Sequence, residues 1–403
     1  MNLDTDLRRF ELSVQQHKAL AFLLQRALIG SLRFLASQRG TENLQPSHIR
    51  TLLVVELTRL GDVMAMLSSL ARFKTFFTNA RILVLVDSRF LSLLDSLETG
   101  FEFIGISNPQ TPTGLIRALR FVRKKPVDLA ISMSSPRRNA LVVLASNSRF
   151  KLGYLTYVDS VTPFLLSTPV QAFGFVLPAN LRYAKENIYR RPALICEALG
   201  MNENGMLSRI DFKPDRYALV RARLEREGLI PNRDYVLLHA FSGWKFRSWD
   251  LSQFVALAGK IHDKLEHDIV MCCEEKDLEK LSSTIPPASP IRVVASSDLL
   301  DVAVLMKEAA LFIGNDSGPL HLAAALNVRT VGLFGPAPPE LTAPESNRGT
   351  NLYKRVECSP CDQRKCVRPE NPCMGLHEVE DVFAAVATAL GSRLHDKSLR
   401  ADA

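Results

Sequence analysis

The feature that most constrains this chain is a recurrence. Short, continuously apolar runs are each followed by a segment with the period of a helix. Thr51 to Leu57 reads as a buried strand, Asp62 to Phe76 as a helix, Ala80 to Val86 as the next strand and Val127 to Ser132 as a later one. Runs that are apolar at nearly every residue, not at every second one, predict strands covered on both faces, and so a parallel sheet between helices. The pattern fades over residues 200–215, where Gly200, Asn202, Asn204, Gly205 and Pro214 mark a connection. After a charged helix over Arg216 to Glu227, it restarts at Tyr235 to His239. Ile269 to Cys273, Ile291 to Val294, Leu311 to Gly314 and Thr330 to Phe334 follow. The expected fold class is therefore α/β, in two successive Rossmann-like units over residues 49–208 and 209–390. A helical, amphipathic extension over 1–48 precedes them and a tail over 391–403 follows.

A length of 403 residues and 47% hydrophobic content suit two sizeable cores and exclude a disordered tail or a small disulfide scaffold. The formal charge of +8 is unevenly spread: about +2 on residues 1–48, +8 on 49–208 and −2 on 209–403. A localised excess of this kind points to an anionic partner. Between Arg117 and Arg138 lie Arg117, Arg120, Arg123, Lys124, Lys125, Arg137 and Arg138 against Asp128 alone, with Arg182, Lys185, Arg190 and Arg191 further on. The run lacks interleaved aromatics, so nucleic acid is a poor fit. A solvated helix face is the ordinary explanation, and an anionic lipid surface or acceptor the functional one.

Seven cysteines, with Cys272 and Cys273 adjacent, suit a reducing compartment. The apolar stretch Ala19 to Ala36 is interrupted by Arg26 and Arg33 and preceded by Asp4, Asp6 and Glu11, unlike a signal peptide or a spanning helix. A cytoplasmic protein is expected, with the first segment either lying in a membrane interface or packing on the domain that follows. Cys358, Cys361, Cys366 and Cys373 are spaced C-x2-C-x4-C-x6-C, which admits a structural zinc site, an iron–sulfur cluster or reduced thiols.

Three loops after strands could carry chemistry. In Gly314-Asn315-Asp316-Ser317-Gly318-Pro319-Leu320-His321, Pro319 fits the first turn of a helix. Free amides near Ser317 and Gly318, with His321 close behind, would hold phosphate; a helix cap at Asp316 or Ser317 is the simpler reading. In Thr58-Arg59-Leu60-Gly61-Asp62, Asp62 is either a general base kept ionised by the helix dipole or an N-cap. The loop His239 to Trp249 gathers Ser242, Lys245, Arg247 and both tryptophans. Its cations could neutralise a departing diphosphate, while Trp249 packs against the next helix.

Leu60-Gly61-Asp62-Val63, His239-x-x-Ser242-Gly243 leading to Arg247 two before Trp249, and the Gly314 to His321 loop followed by Val331-Gly332-Leu333-Phe334-Gly335-Pro336 resemble glycosyltransferase family 9, the heptosyltransferases of lipopolysaccharide core assembly. The resemblance covers about residues 49–390. It implies a GT-B architecture with an acceptor domain followed by a nucleotide-sugar domain, and inverting transfer that requires no cofactor. On it, Asp62 matches the catalytic base, and Asp316, Ser317, Gly318 and His321 the donor-diphosphate loop. Arg247 stands where the family has a lysine, and Ser242 lies in the matching loop. Glu275, or its neighbour Glu274, matches an acidic residue that binds the donor ribose or sugar. The implied donor is a nucleotide sugar such as ADP-heptose. The implied acceptor is an anionic lipid-linked saccharide at the cytoplasmic face of the inner membrane, where the protein would be peripherally associated. The rivals are a catalytically idle nucleotide-sugar-binding or membrane-docking module of the same fold, and a GT-B epimerase.

Overall fold

The computed structural model describes residues 45–134, 137–152, 187–201, 210–231, 234–361, 366–370 and 372–398. The expected helical extension over 1–48 therefore lies outside the described residues, apart from a short 3-10 turn at Pro46–His48. The chain divides into two compact units. The first runs to Leu91 and resumes over Gly100–Met206; the second comprises Ser92–Thr99 and everything from Leu207. The segment Ser92–Thr99 joins the second unit through a bridge between Leu97 and Phe212, and through backbone bonds from Glu98 N to Asp211 O (2.8 Å) and from Lys213 N to Ser96 O (2.8 Å).

Along the chain come β1 (Thr51–Glu56), α1 (Leu60–Phe76), β2 (Arg81–Asp87), α2 (Leu91–Asp95), β3 (Glu102–Ile106), α3 (Pro112–Lys124), β4 (Val127–Ser132), α4 (Arg137–Ala145), β5 (Ser148–Leu152) and α5 (Arg190–Ala198), all in the first unit except α2, which from Ser92 belongs to the second. The five strands of the first unit form one parallel sheet in the order β3-β2-β1-β4-β5. The central strand β1 is buried along almost its whole length, which explains its unbroken apolar run. Leu53, Val55, Leu83, Leu85 and Ala130 from the sheet pack with Ala118 and Val122 of α3 and Val142 and Val143 of α4.

The second unit contains α6 (Pro214–Arg226), β6 (Tyr235–His239), α7 (Leu251–Leu265), β7 (Asp268–Cys273), α8 (Leu278–Thr284), β8 (Ile291–Ala295), α9 (Leu299–Glu308), β9 (Leu311–Asn315), α10 (Gly318–Ala325), β10 (Thr330–Phe334), α11 (Pro339–Thr342), β11 (Gly349–Tyr353) and α12 (Val379–Ser398). Six parallel strands run in the order β11-β10-β9-β6-β7-β8. The core gathers Val236, Leu238, Ile269, Met271, Leu311, Ile313 and Val331 with Phe254 and Ile261 of α7 and Val382 and Val386 of α12. The last helix runs on to Ser398, past the expected start of a tail at 391.

The sequence reading passed over three strands, β3, β5 and β11. Each stands at an edge of its sheet, where one side is partly exposed and no continuous apolar run is required. Among the described residues no helix is long and apolar enough to cross a membrane.

Candidate functional site

In the first unit, β1 ends at Glu56 and the chain turns through Leu57, Thr58 and Arg59 into α1. Arg59, not Asp62, is the N-cap of that helix, and no side chain caps it. Asp62 lies in the first turn, where free amides and the helix dipole favour a negative charge. The cap reading of Asp62 is thus excluded, and its carboxylate is half-buried at the carboxyl end of the central strand.

Beneath the turn sits a polar cluster that the sequence reading missed. Glu56 is fully buried. Its Oε1 accepts hydrogen bonds from the hydroxyl of Thr58, from Ser134 Oγ (2.9 Å) and from Asn139 Nδ2 (3.2 Å), while Oε2 is buried without a partner. Asn139 also accepts from the Leu57 amide (3.1 Å) and donates to Ser134 Oγ (2.8 Å). Burial, and then the negative charge of Asp62, push the Glu56 carboxyl up to about 8 against the pull of its three donors. The one sequence signal for this cluster was an acidic residue inside an otherwise apolar strand.

In the second unit, the loops after β6, β7 and β9 emerge side by side, because these strands are neighbours in the order β9-β6-β7. The loop after β9 feeds α10, whose N-cap is Ser317 and whose first turn carries Pro319. Ser317 does not spend its hydroxyl on the cap; Oγ is buried and has no hydrogen-bond partner in the structure. Asp316 turns inward, with its side chain 2% exposed, and meets Arg247 Nη1 at 2.9 Å. It also accepts from Thr342 Oγ1 at 3.1 Å and lies 3.8 Å from His321 Nε2. Burial opposes its ionisation, but His321, Arg247 and Thr342 outweigh that cost and hold the carboxyl below its ordinary value. Asp316 therefore serves as the internal counter-ion that fixes Arg247 and His321, while the α10 amides and the Ser317 hydroxyl form the part of the loop able to bind an anion.

Asn315, also missed, clamps the two loops together. Its Oδ1 accepts from Trp249 N (2.9 Å) and its Nδ2 donates to Ala240 O (2.7 Å). Trp249 packs edge-on against Phe254 of α7, as its place before that helix suggests, and its indole donates to His377 O (2.9 Å). Ser242 Oγ accepts from Trp244 N at 3.3 Å. His239 Nδ1 is buried and unpartnered, and burial depresses that imidazole. Glu274 and Glu275 are exposed beyond β7, Glu274 paired with Lys276 at 2.6 Å.

The four clustered cysteines are all partly buried. Burial, then the neighbouring thiols of Cys361, Cys358 and Cys366, push Cys373 up to about 11, so these side chains share one neighbourhood. Among the described residues, however, no three His, Cys, Asp or Glu side chains are gathered closely enough to hold a metal ion. The zinc reading thus gains no ligand geometry from the structure. Instead, Cys361 N donates to Pro336 O (3.1 Å), and Ser359 Oγ to Gly335 O (3.0 Å), pinning this loop behind the strand β10. The basic run lies on α3 and beyond, with Arg117, Arg120, Arg123, Lys124 and Lys125 exposed; Arg182 and Lys185 are outside the described residues.

The chain is similar to known proteins. The chain is 28% identical over 210 residues to lipooligosaccharide heptosyltransferase 2 of Campylobacter jejuni, a match covering 49% of this chain and 65% of that relative, just under two thirds of its length. It is 22% identical over 350 residues to lipopolysaccharide heptosyltransferase 3 of Escherichia coli, covering 84% of this chain and 99% of the relative. Its fold is similar to the structure of E. coli ADP-heptose lps heptosyltransferase II, with a TM-score of 0.64 at 16% identity over 85% of this chain and 99% of the other. Residues 115–371, well over half of the sequence, match the profile described as "Glycosyltransferase family 9 (heptosyltransferase)", and the chain therefore belongs to glycosyltransferase family 9.

Proposed function

We propose that this glycosyltransferase moves a heptose or related sugar from a nucleotide-diphosphate donor, ADP-heptose foremost, to a lipid-linked saccharide such as a lipopolysaccharide core, with inversion at the anomeric carbon. The observation that carries the reading is the loop after β9. A buried Ser317 hydroxyl without a partner stands at the start of a helix, with Arg247 and His321 held in place by a buried carboxylate. Such a group suits a diphosphate that gains negative charge as it leaves, because its donors are oriented before the reaction begins. Asp62 would take the proton of the acceptor hydroxyl. The acceptor oxygen forms its bond to the anomeric carbon as the bond from that carbon to the diphosphate oxygen breaks, and the electron pair leaves with the diphosphate. The chemistry requires no cofactor. Names of relatives support the donor and acceptor classes, since one is an ADP-heptose lps heptosyltransferase and another a lipopolysaccharide heptosyltransferase.

Asp62→Ala should lower transfer by about 10²- to 10⁴-fold, the usual contribution of a positioned base, while leaving donor binding in place. Near-normal turnover in that variant would remove Asp62 from the role. Thermal shifts with ADP-heptose, GDP-sugars and UDP-sugars identify the donor. A donor at 100 times its Kd should stabilise the protein by about 2.7 kcal/mol. No shift with any of them would favour the idle membrane-docking module.

A further inference from the structure

Glu56 is the most unusual buried group outside the donor loop. A carboxylate kept inside a protein for structure alone usually has both oxygens hydrogen-bonded, since a buried, unpaired charged atom is costly. Here three donors from three separate segments converge on Oε1: Thr58 from the turn after β1, Ser134 from the segment after β4 and Asn139 from α4. The other oxygen is equally buried and has none among the described residues. A proton on Oε2 resolves this asymmetry, because it removes the charge while leaving Oε1 free to accept. The charged group that acts on Glu56 most strongly is Asp62, which repels a second negative charge.

We propose that Glu56 is a positioning residue for the transfer reaction: in its protonated form it ties the Thr58–Asp62 turn to β4 and α4 and leaves Asp62 the only ionised carboxylate of the pair. The proposal rests on the reading of Asp62 as proton acceptor. Ionisation of Glu56, expected near pH 8, would place two negative charges at the turn and loosen it.

The test has an arm that does not depend on turnover. Infrared difference spectroscopy should show a protonated buried carboxyl in the wild-type protein at pH 7, lost as the pH passes about 8 and missing from Glu56→Gln. In Asp62→Asn the same band should titrate at lower pH, because the repelling charge is gone. Hydrogen exchange of the Thr58–Asp62 amides should accelerate between pH 7 and 9 beyond the ordinary base-catalysed rise in wild type, and not in Glu56→Gln. Transfer from ADP-heptose to a lipopolysaccharide core, each protein normalised to its own maximum, should fall about tenfold by pH 9 in wild type and hold in Glu56→Gln. A wild-type protein without the band at pH 7, or equal alkaline limbs in wild type and Glu56→Gln, would overturn the proposal. Should Glu56→Gln fail to fold, the titrations of wild type and Asp62→Asn still decide it. An active Asp62→Ala sinks the base assignment but leaves the infrared result standing, so the two failures are distinct.

Discussion

Two residues concentrate energy that cannot be seen locally. Glu56 binds its proton far more tightly in the folded chain than in the unfolded one, with about 8 against an ordinary 4.5. Between those values the native state holds a proton that the unfolded state has lost, so stability falls as pH rises from about 4.5 to about 8 and levels off above. The whole fall is about 5 kcal/mol, at about 1.4 kcal/mol per unit. Urea unfolding at pH 5, 7 and 8.5 should show this slope in wild type and a nearly flat profile in Glu56→Gln. Asn315 is the second such residue. Replacing it with Ala strands the Trp249 amide and the Ala240 carbonyl in the interior. The expected loss is about 2–6 kcal/mol, from two buried groups at about 1–3 kcal/mol each, read as a shifted urea midpoint at constant slope.

At the level of elements, some helices start at a residue whose side chain caps them. In α3, Thr111 is the N-cap and accepts from the Gly114 amide at 3.1 Å. A Cβ at Gly114 would lie 2.0 Å from the carbonyl oxygen of Asn108, a backbone atom unable to swing aside. Gly114→Ala should therefore cost about 1–3 kcal/mol by overpacking and loosen the first turn of α3, visible as faster amide exchange there. Elements also set what the sequence could disclose. The central strands β1, β6 and β9 are covered on both faces and so betray themselves as apolar runs. The edge strands β3, β5 and β11 need burial on fewer positions and leave a weaker trace. The turn from β9 into α10 was legible because a glycine ends the apolar run and a proline fits the first turn of the helix that follows. The network under Asp62 was not, because Glu56 meets Ser134 and Asn139 across 78 and 83 residues of chain.

Across the whole molecule, charge is divided between the units. The excess of +8 belongs to residues 49–208, and its exposed part includes Arg117, Arg120, Arg123, Lys124 and Lys125 on α3 and just after it. If this face meets the anionic acceptor or its membrane, at about 1 kcal/mol per basic residue, neutralising three of them should weaken association with anionic vesicles about 100-fold. Reversing Arg123, Lys124 and Lys125 should do at least that, and the effect should shrink with added salt. The thermal shift caused by nucleotide sugar should stay the same, because those donors are assigned to the second unit. A reduced donor shift in this variant would overturn the division of labour.

The sequence by itself determined the α/β class, the central buried strands and the family. Those are local properties: an apolar run must find cover, and a glycine or proline restricts the backbone wherever it stands. Only the tertiary structure decided what the charged and polar residues do. Sheet order brought the loops after β6 and β9 together and so made Asp316 the buried partner of Arg247 instead of a helix cap. It also placed β4 beside β1, which lets Ser134 and Asn139 reach Glu56. A carboxylate's charge depends on the solvent, donors and charges around it, and those neighbours come from distant parts of the chain.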